Sequence, residues 1–530
     1  MSPPRVTVRR ALLAAGMTAM VLVAPQAHSA TTAATPPSWF SYGRAATYTA
    51  ISTKQDVPMR DGTVLACGLT RPDSPGRFPA LVNDNTPYGA AYDVKDSFWA
   101  PRGYVSITCN PRGTMSWLQA NKQPPSPDAS SFSAAEQRDW YDLVEWLARQ
   151  PWCNGRVGAL GYSYGGIVAY QTAGQAPPHL RTIIAGASFS DAYDDLTYLG
   201  GARTLDIEAW MVGASGHPQQ INGSRDHPLY DDFWRTISIR TKYAAIRRSG
   251  IPILDYGGWY DIYQQGEPDN YRALKKQTWL VMSGGSHLEG AESVPYGGRL
   301  AWMDHWLRGM RSAPLPPSKV TSLEKPDATG HWQQLADWPA PDARMRRLDL
   351  RADGSLGPTP GPAGSRTYAV NPYDGEGMFW NTRRPDEQGE DQQWADHARQ
   401  GWNTPVLSRD LVVAGDIRAR IRASFSATDG ELVVRLMDVA PDGSSTLVTT
   451  GWLKASHRLG HTTLAPVVPG TPYDFDVDVW PTNWRFHQGH VIRVTVSSGD
   501  VPRLEPDAPA GTVTLADGAG ASYIDLDVRR

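Results

Sequence analysis

Cysteine is scarce: 530 residues hold three, Cys67, Cys109 and Cys153. None stands in a C-x-x-C or similar metal-ligand spacing, so the cysteines define neither a zinc ribbon nor a redox dithiol. Three thiols allow one disulfide with one thiol left over, and the spacing does not choose the pair. An excess of either charge is also missing. Lys and Arg number 51 against 54 Asp and Glu, the formal net charge is −3, and no basic block stands beyond the N-terminus. Neither nucleic acid nor an anionic membrane surface is expected as a partner. Phenylalanine is sparse, at 10 against 20 Trp and 22 Tyr. Such amphipathic rings suit a substrate-lining surface and equally the ordinary packing of a β-rich protein. The apolar run over residues 11–23 is too short, and too soon followed by Pro25, to span a bilayer. It reads instead as the core of an export signal over residues 1–29. Arg5, Arg9 and Arg10 precede the run, and Ala27-His28-Ser29 offers a small-x-small cleavage site. Arg9-Arg10 suggests twin-arginine export, but Val8 and Leu12 depart from the usual flanks, so the route stays open.

What the chain does have is a globular composition, 41% hydrophobic and 20% charged, at a length that calls for two or three domains. It is organised around Gly161-Tyr162-Ser163-Tyr164-Gly165-Gly166. An apolar run precedes this stretch and a helix-like segment succeeds it, the context that turns G-x-S-x-G into a nucleophile elbow. Such a turn is too tight for side chains beside the serine, hence glycine at 161 and 165. It would lift the Ser163 hydroxyl above the sheet edge and aim the Tyr164 amide at the same point. The plain alternative is a glycine-rich strand-to-helix turn with an idle serine.

In chain order, residues 31–46 read as a polar lead-in. A hairpin comes next around Asp61-Gly62, then strands at 78–82 and 104–109. Ser133-Ala134-Ala135-Glu136 is a capping box, and Trp140, Leu143, Val144 and Leu147 mark one face of the helix it opens. Strands at 181–186, 251–256 and 278–283 continue the alternation. This describes an α/β fold, an α/β-hydrolase domain over 47–188 and 250–312, with a mainly parallel sheet and helices on both faces. Residues 189–249 show no evident strand and read as a helical cap insertion beside the active site. Pro314, Pro316 and Pro317 open a linker, 313–344. Residues 345–530 alternate in short runs with turn signals between them, which predicts an all-β jelly-roll sandwich.

A serine hydroxyl needs a base to take its proton and an acid to orient that base. Ser163, Asp261 and His287 occur in the α/β-hydrolase order, each just after a strand. Asp191 is the best alternative acid, and Asp255 lies inside its apolar run. His217 and His227 fall in the insertion and His305 in the closing helix. His457, His461, His487 and His490 lie in the β domain, remote from the elbow. None comes directly after a sheet strand as His287 does.

The motifs together are more specific than the elbow. Asn85-Thr86-Pro87-Tyr88, Gln150-Pro151-Trp152-Cys153-Asn154-Gly155 before the elbow, His227-Pro228-Leu229-Tyr230 to Trp234 in the insertion, Gly257-Gly258-Trp259-Tyr260-Asp261, and Phe486-His487-Gln488-Gly489-His490 occur in order. On these the chain resembles the cocaine-esterase branch of the X-Pro dipeptidyl-peptidase superfamily. The resemblance implies a serine hydrolase with cap and jelly roll around one cleft. Ser163 is then the nucleophile, Asp261 the orienting acid and His287 the base. It also implies that the Tyr88 hydroxyl joins the Tyr164 amide as oxyanion donor. Two departures stand out: Asn110 replaces the usual acid before Pro111-Arg112-Gly113, and Ile262-Tyr263-Gln264-Gln265 carries none of the carboxylates with which related α-amino-acid ester hydrolases hold an ammonium. The expectation is an exported esterase or amidase acting on a small neutral ester or amide, or a short peptide, without metal or organic cofactor. The alternatives are an Xaa-Pro dipeptidyl-peptidase and an inactive hydrolase fold used for binding. Nothing specifies an oligomeric state.

Overall fold

The structure is a computed structural model that describes residues 35–114, 116, 131–205, 207, 224–326, 331–375 and 391–529. The expected export signal and His217 lie outside the described residues. The first sheet contains β1 (Ala50–Pro58), β2 (Val64–Pro72), β3 (Phe78–Asn83), β4 (Val105–Cys109), β5 (Cys153–Tyr162) and β6 (Leu180–Gly186). After a two-stranded hairpin, β7 (Tyr198–Leu199) with β8 (Ala202–Arg203), it resumes with β9 (Ile253–Tyr260), β10 (Thr278–Ser286), β11 (Val320–Leu323) and β12 (Trp332–Leu335). The order is β1-β2-β4-β3-β5-β6-β9-β10-β11-β12. From β4 to β11 all neighbours are parallel, and antiparallel strands close both edges.

Central strands are buried on both faces, so they read as continuous apolar runs, and strand alternation decides which helix each residue meets. Val82, Val157, Ala159 and Ile183 face α1 (Ala134–Ala148) and α2 (Tyr164–Gly174), burying Trp140, Leu143, Ile167 and Val168. Further along the chain come α3 (Asp232–Ile237) and α4 (Tyr243–Ser249) in the insertion, then α5 (Gly266–Leu274), α6 (His287–Gly290) and α7 (Tyr296–Trp306). Leu81, Leu160, Ile184 and Leu254 point the other way, against Leu300, Trp302 and Met303 of α7. Trp39 and Phe40 join this second layer, with Tyr42 packed against it, so the polar lead-in is anchored by its aromatic residues.

The disulfide joins Cys67 to Cys109, directly opposite on β2 and β4, and leaves Cys153 free and buried. The insertion is helical in α3 and α4 but also holds the β7–β8 hairpin. Strands of two residues are too short for alternation to show. Their turn, Gly200-Gly201, has φ of +55° and +87°. A Cβ on Gly200 would lie 1.9 Å from the Trp452 carbonyl oxygen, so the β domain packs on bare backbone there.

The linker expected over 313–344 is corrected. β11 and β12 within it extend the first sheet, and β13 (Ala343–Leu350) already belongs to the second. Four-residue strands behind a proline cluster carry too little pattern to register. The second sheet continues with β14 (Leu356–Gly357), β15 (Gly364–Ala369), β16 (Gln400–Asn403), β17 (Leu411–Phe425), β18 (Glu431–Val439), β19 (Ser445–Lys454), β20 (Tyr473–Phe486), β21 (Val491–Ser497), β22 (Thr512–Asp517) and β23 (Tyr523–Arg529). It is antiparallel and folds over one core. On β17, Ile417, Ala419, Ile421 and Phe425 point inward, while Arg420 and Arg422 pair outward with Asp476 and Asp474 of β20. This alternation fixes the register, since a one-residue slip would bury the arginines.

The β domain braces the end of β9. Tyr260 donates its hydroxyl to the Leu447 carbonyl (3.0 Å), and Gln264 donates its amide to the Pro481 carbonyl (2.7 Å). The loop between them carries Asp261.

Candidate active site

The loops after β3, β5, β9 and β10 meet at one edge of the first sheet and carry Tyr88, Ser163, Asp261 and His287. At the elbow, Ser163 has φ +56° and ψ −119°, a region that side chains avoid without outside support. Its amide donates to the Gly186 carbonyl on β6 (2.8 Å), and a Cβ on Gly161 would lie 2.5 Å from the Gly165 carbonyl carbon. The turn closes because residue 161 has no side chain.

Ser163 Oγ lies 2.9 Å from His287 Nε2, and His287 Nδ1 lies 2.9 Å from Asp261 Oδ1. His287 opens α6, where Ser286 and Glu289 form a complete capping box that fixes the histidine backbone. Asp261 Oδ1 also accepts the Tyr263 amide (3.0 Å), and Oδ2 accepts the Tyr162 hydroxyl (2.7 Å). The same hydroxyl lies 2.7 Å from the His287 carbonyl oxygen, so Tyr162 bridges Asp261 and His287. The acid and the imidazole are buried, and the serine is only partly so. A hydroxyl, an imidazole and a carboxylate in this order can pass a proton from oxygen to ring while the carboxylate holds the ring's second N–H.

Other acids and imidazoles are engaged elsewhere. Asp191 pairs with Arg240 (2.6 Å) and accepts the Ser238 hydroxyl (2.8 Å), fastening the insertion. Asp255 accepts the Tyr170 hydroxyl (2.8 Å), and burial pushes its carboxyl well up. His227 pairs with Asp231, His305 meets the Ala313 carbonyl, and His490 pairs with Asp438. His487 lies 3.7 Å from Asp410. His457 and His461 are not remote from the insertion: Gly201 of the hairpin packs on His457, and the His461 ring lies 5.3 Å from that of Tyr193.

Tyr88 and Tyr164 share a small cleft with Ser163 and His287, whose other walls are Phe132, Ile167, Leu196, Ile207, Ile262 and Tyr263. Tyr164 is the first residue of α2, so helix geometry gives its amide no acceptor within the helix. Tyr88 is 47% exposed and meets the Tyr164 ring edge-on. Asn110 shapes the Tyr88 loop. Its Oδ1 accepts the Ala91 amide (2.9 Å) and its Nδ2 donates to the Gly89 carbonyl (2.6 Å). A carboxylate could accept the first bond but not donate the second, so this loop conformation needs an amide at 110. Arg112, two residues on, is buried between Asp139 of α1 (2.6 Å) and Asp61 of the turn between β1 and β2 (2.8 Å).

Sequence pattern alone does not single out Tyr162, Glu136 in its role at Tyr164, or Glu267, which accepts the Ser188 amide (2.6 Å) under the site. For Tyr162 the one available signal is its place before Ser163. For Glu136 the capping-box pattern points to a different role.

Comparisons with known proteins agree with this architecture. The profile of the X-Pro dipeptidyl-peptidase (S15 family) matches residues 61–225 and 208–289, and that of the X-Pro dipeptidyl-peptidase C-terminal non-catalytic domain matches residues 313–521. A cocaine esterase from Rhodococcus sp. is 26% identical over 548 residues, spanning 86% of this chain and 92% of its own. Among solved structures, a CocE/NonD family hydrolase from Staphylococcus aureus superposes with a TM-score of 0.75 at 19% identity, covering 94% of this chain and 98% of its own. An α-amino acid ester hydrolase gives 0.75 at 20% identity, covering 92% and 98%. With two adjoining profiles spanning most of its length in the right order, the chain belongs to the X-Pro dipeptidyl-peptidase and cocaine-esterase family, and it is a serine hydrolase of ester or amide bonds.

Proposed function

We propose that the chain is an exported carboxylic-ester hydrolase that works through an acyl-enzyme on Ser163. The observation that carries the reading is the run of two 2.9 Å contacts from Ser163 through His287 to Asp261 at the floor of an apolar cleft. His287 takes the Ser163 proton as the hydroxyl oxygen attacks the acyl carbon. The oxyanion forms between the Tyr164 amide and the Tyr88 hydroxyl. His287 then protonates the departing alcohol, and water, deprotonated by the same imidazole, releases the acid.

The cleft walls favour an ester with a neutral acyl group. Among the described residues lining it none is acidic, whereas a dipeptidyl-peptidase needs anionic partners for a substrate ammonium. Gln264, next in line after the Asp261 turn, is spent on the β domain. Export is supported by the pattern of residues 1–29 together with the Cys67–Cys109 disulfide, a bond that persists in oxidising compartments.

A panel of nitrophenyl acyl esters of rising chain length beside Xaa-Pro nitroanilides tests the substrate class. Turnover of the esters with at most trace cleavage of the anilides is expected. Faster cleavage of Xaa-Pro anilides would replace this reading with the peptidase one. Culture fractionation, with N-terminal sequencing of the released protein, tests export, and finding only uncleaved protein within the cells would refute it. For the oxyanion site, Tyr88→Phe is expected to lower kcat by about 10²–10³ with KM little changed. Wild-type turnover in that variant removes Tyr88 from the reaction.

A further inference from the structure

We propose that Glu136 is a positioning residue for acyl transfer: its buried carboxyl holds one wall of the acyl cleft and the first residue of the elbow helix together. The inference rests on the reading of Ser163 as nucleophile and deepens it.

Glu136 lies in the first turn of α1 with no exposed surface. The capping-box pattern predicts that its side chain returns to the Ser133 amide. Only half of that box forms: the Glu136 amide donates to Ser133 Oγ (3.2 Å), but the carboxyl passes beyond Ser133. Its Oε2 accepts the Phe132 amide (2.7 Å), and the Tyr164 hydroxyl lies 3.1 and 3.0 Å from its two oxygens. One carboxyl thus ties the segment before α1 to the start of α2.

Both residues that it holds face the cleft. Phe132 has φ +63°, a conformation that costs a bulky residue free energy and persists only when its surroundings impose it. The bond from its amide to Glu136 and one from Gln137 Nε2 to its carbonyl (2.7 Å) supply that constraint. The Phe132 ring then lies 4.2 Å, centre to centre, from the Tyr164 ring, and the two form adjoining walls beside Ser163. Tyr164 is fixed at its hydroxyl by Glu136 and along its ring by Phe132. Its amide, at the other end of the same residue, is the one aimed at the oxyanion.

A leucine or methionine would fill this volume without taking a carboxyl out of water. The charged groups near Glu136 are Asp139, one turn along α1 and itself paired with Arg112, and from α2 only the neutral phenol of Tyr164. Among the described residues no cation compensates it, and burial pushes its carboxyl up to about 8, so at neutral pH it is mostly a neutral hydrogen-bonding group. A polar group kept there without a charge partner holds geometry through hydrogen bonds.

The test is steady-state kinetics on the best ester, with the rate of Ser163 labelling by a fluorophosphonate, for wild type, Glu136→Met, Tyr164→Phe and the double variant. Each single change is expected to lower kcat and the labelling rate about tenfold, the loss that one misplaced buried hydrogen bond produces in a transition state. KM for that ester should stay nearly constant. The double variant should lose no more than the worse single one, because both changes break one link. The preference among acyl chain lengths should flatten in the two variants that lack the Glu136 carboxyl, where the Phe132 amide loses its acceptor. A merely structural role would lower the melting temperature yet leave kcat, labelling and chain-length preference at 25 °C as in wild type, and that result overturns the proposal. Losses that multiply in the double variant overturn it too. Should Glu136→Met fail to fold, Tyr164→Phe, which removes one oxygen at the same contact, decides alone by kcat and labelling rate. Absence of a Ser163 adduct in wild type would instead sink the nucleophile reading beneath it.

Discussion

Ser163→Ala is expected to lower kcat/KM by on the order of 10⁵–10⁶ while the protein melts where wild type does. The second half rests on local geometry. Alanine keeps the Cβ, so the φ of +56° is held as before, and only the 2.9 Å contact from Oγ to His287 is lost. Ser163→Gly makes the contrast, since glycine occupies this region without strain. It should be equally inactive but more stable, by about 1–3 kcal/mol if the strain is fully relieved. Residual turnover in both variants should come from the oxyanion donors and binding alone, so it should fall again when Tyr88→Phe is added. Turnover, fluorophosphonate labelling and melting curves on wild type, the two Ser163 variants and each of these combined with Tyr88→Phe check this. Ser163→Ala retaining more than about a tenth of wild-type turnover would mean that another nucleophile operates and that the elbow is a strained turn and nothing more.

Features that depend on neighbours in the chain are legible in the sequence. The elbow declares itself because strand, glycines and helix are contiguous. Asp261 and His287 emerge because each closes an apolar run, and the fold class emerges from strands alternating with helices. Contacts between distant segments are not legible. Tyr162 reaches Asp261 across 99 positions and the His287 carbonyl across 125, and no local pattern encodes either bond. Glu136 is fully accounted for by a capping box until the bond to Phe132, one residue further back, is seen. The disulfide pair becomes evident only with strand order, once β4 is placed beside β2 and puts Cys109 opposite Cys67. β11 and β12 are hidden for a different reason: four residues do not make a periodicity. Asn110 stands out in the sequence as a departure from a family pattern, and its meaning comes from the two backbone groups of the Tyr88 loop that it bonds.

Asp261→Ala is expected to lower kcat by on the order of 10⁴, and Asp261→Asn by clearly less. Loss of the carboxylate leaves His287 free to turn and to present Nδ1–H or Nε2–H to Ser163, and only the form with bare Nε2 can take the serine proton. Asparagine can preserve that form here. Two N–H groups point at Oδ1, from His287 (2.9 Å) and from the Tyr263 amide (3.0 Å), so the asparagine carbonyl must occupy this position and its amide must turn to the Oδ2 side. There it meets the Tyr162 oxygen, which can accept because the Tyr162 hydroxyl has a second acceptor, the His287 carbonyl at 2.7 Å. Orientation and tautomer then survive, and what is lost is the negative charge that stabilises the imidazolium, so about 10²–10³ of kcat should go. The difference between the two variants measures how much of the acid's contribution is orientation and how much is charge. Tyr162→Phe placed in the Asp261→Asn background should close that gap, because the asparagine amide loses its acceptor and can flip. Equal losses in Asp261→Asn and Asp261→Ala would show that charge dominates, and wild-type turnover in Asp261→Ala would mean that His287 is oriented by another group, which would dismantle the triad.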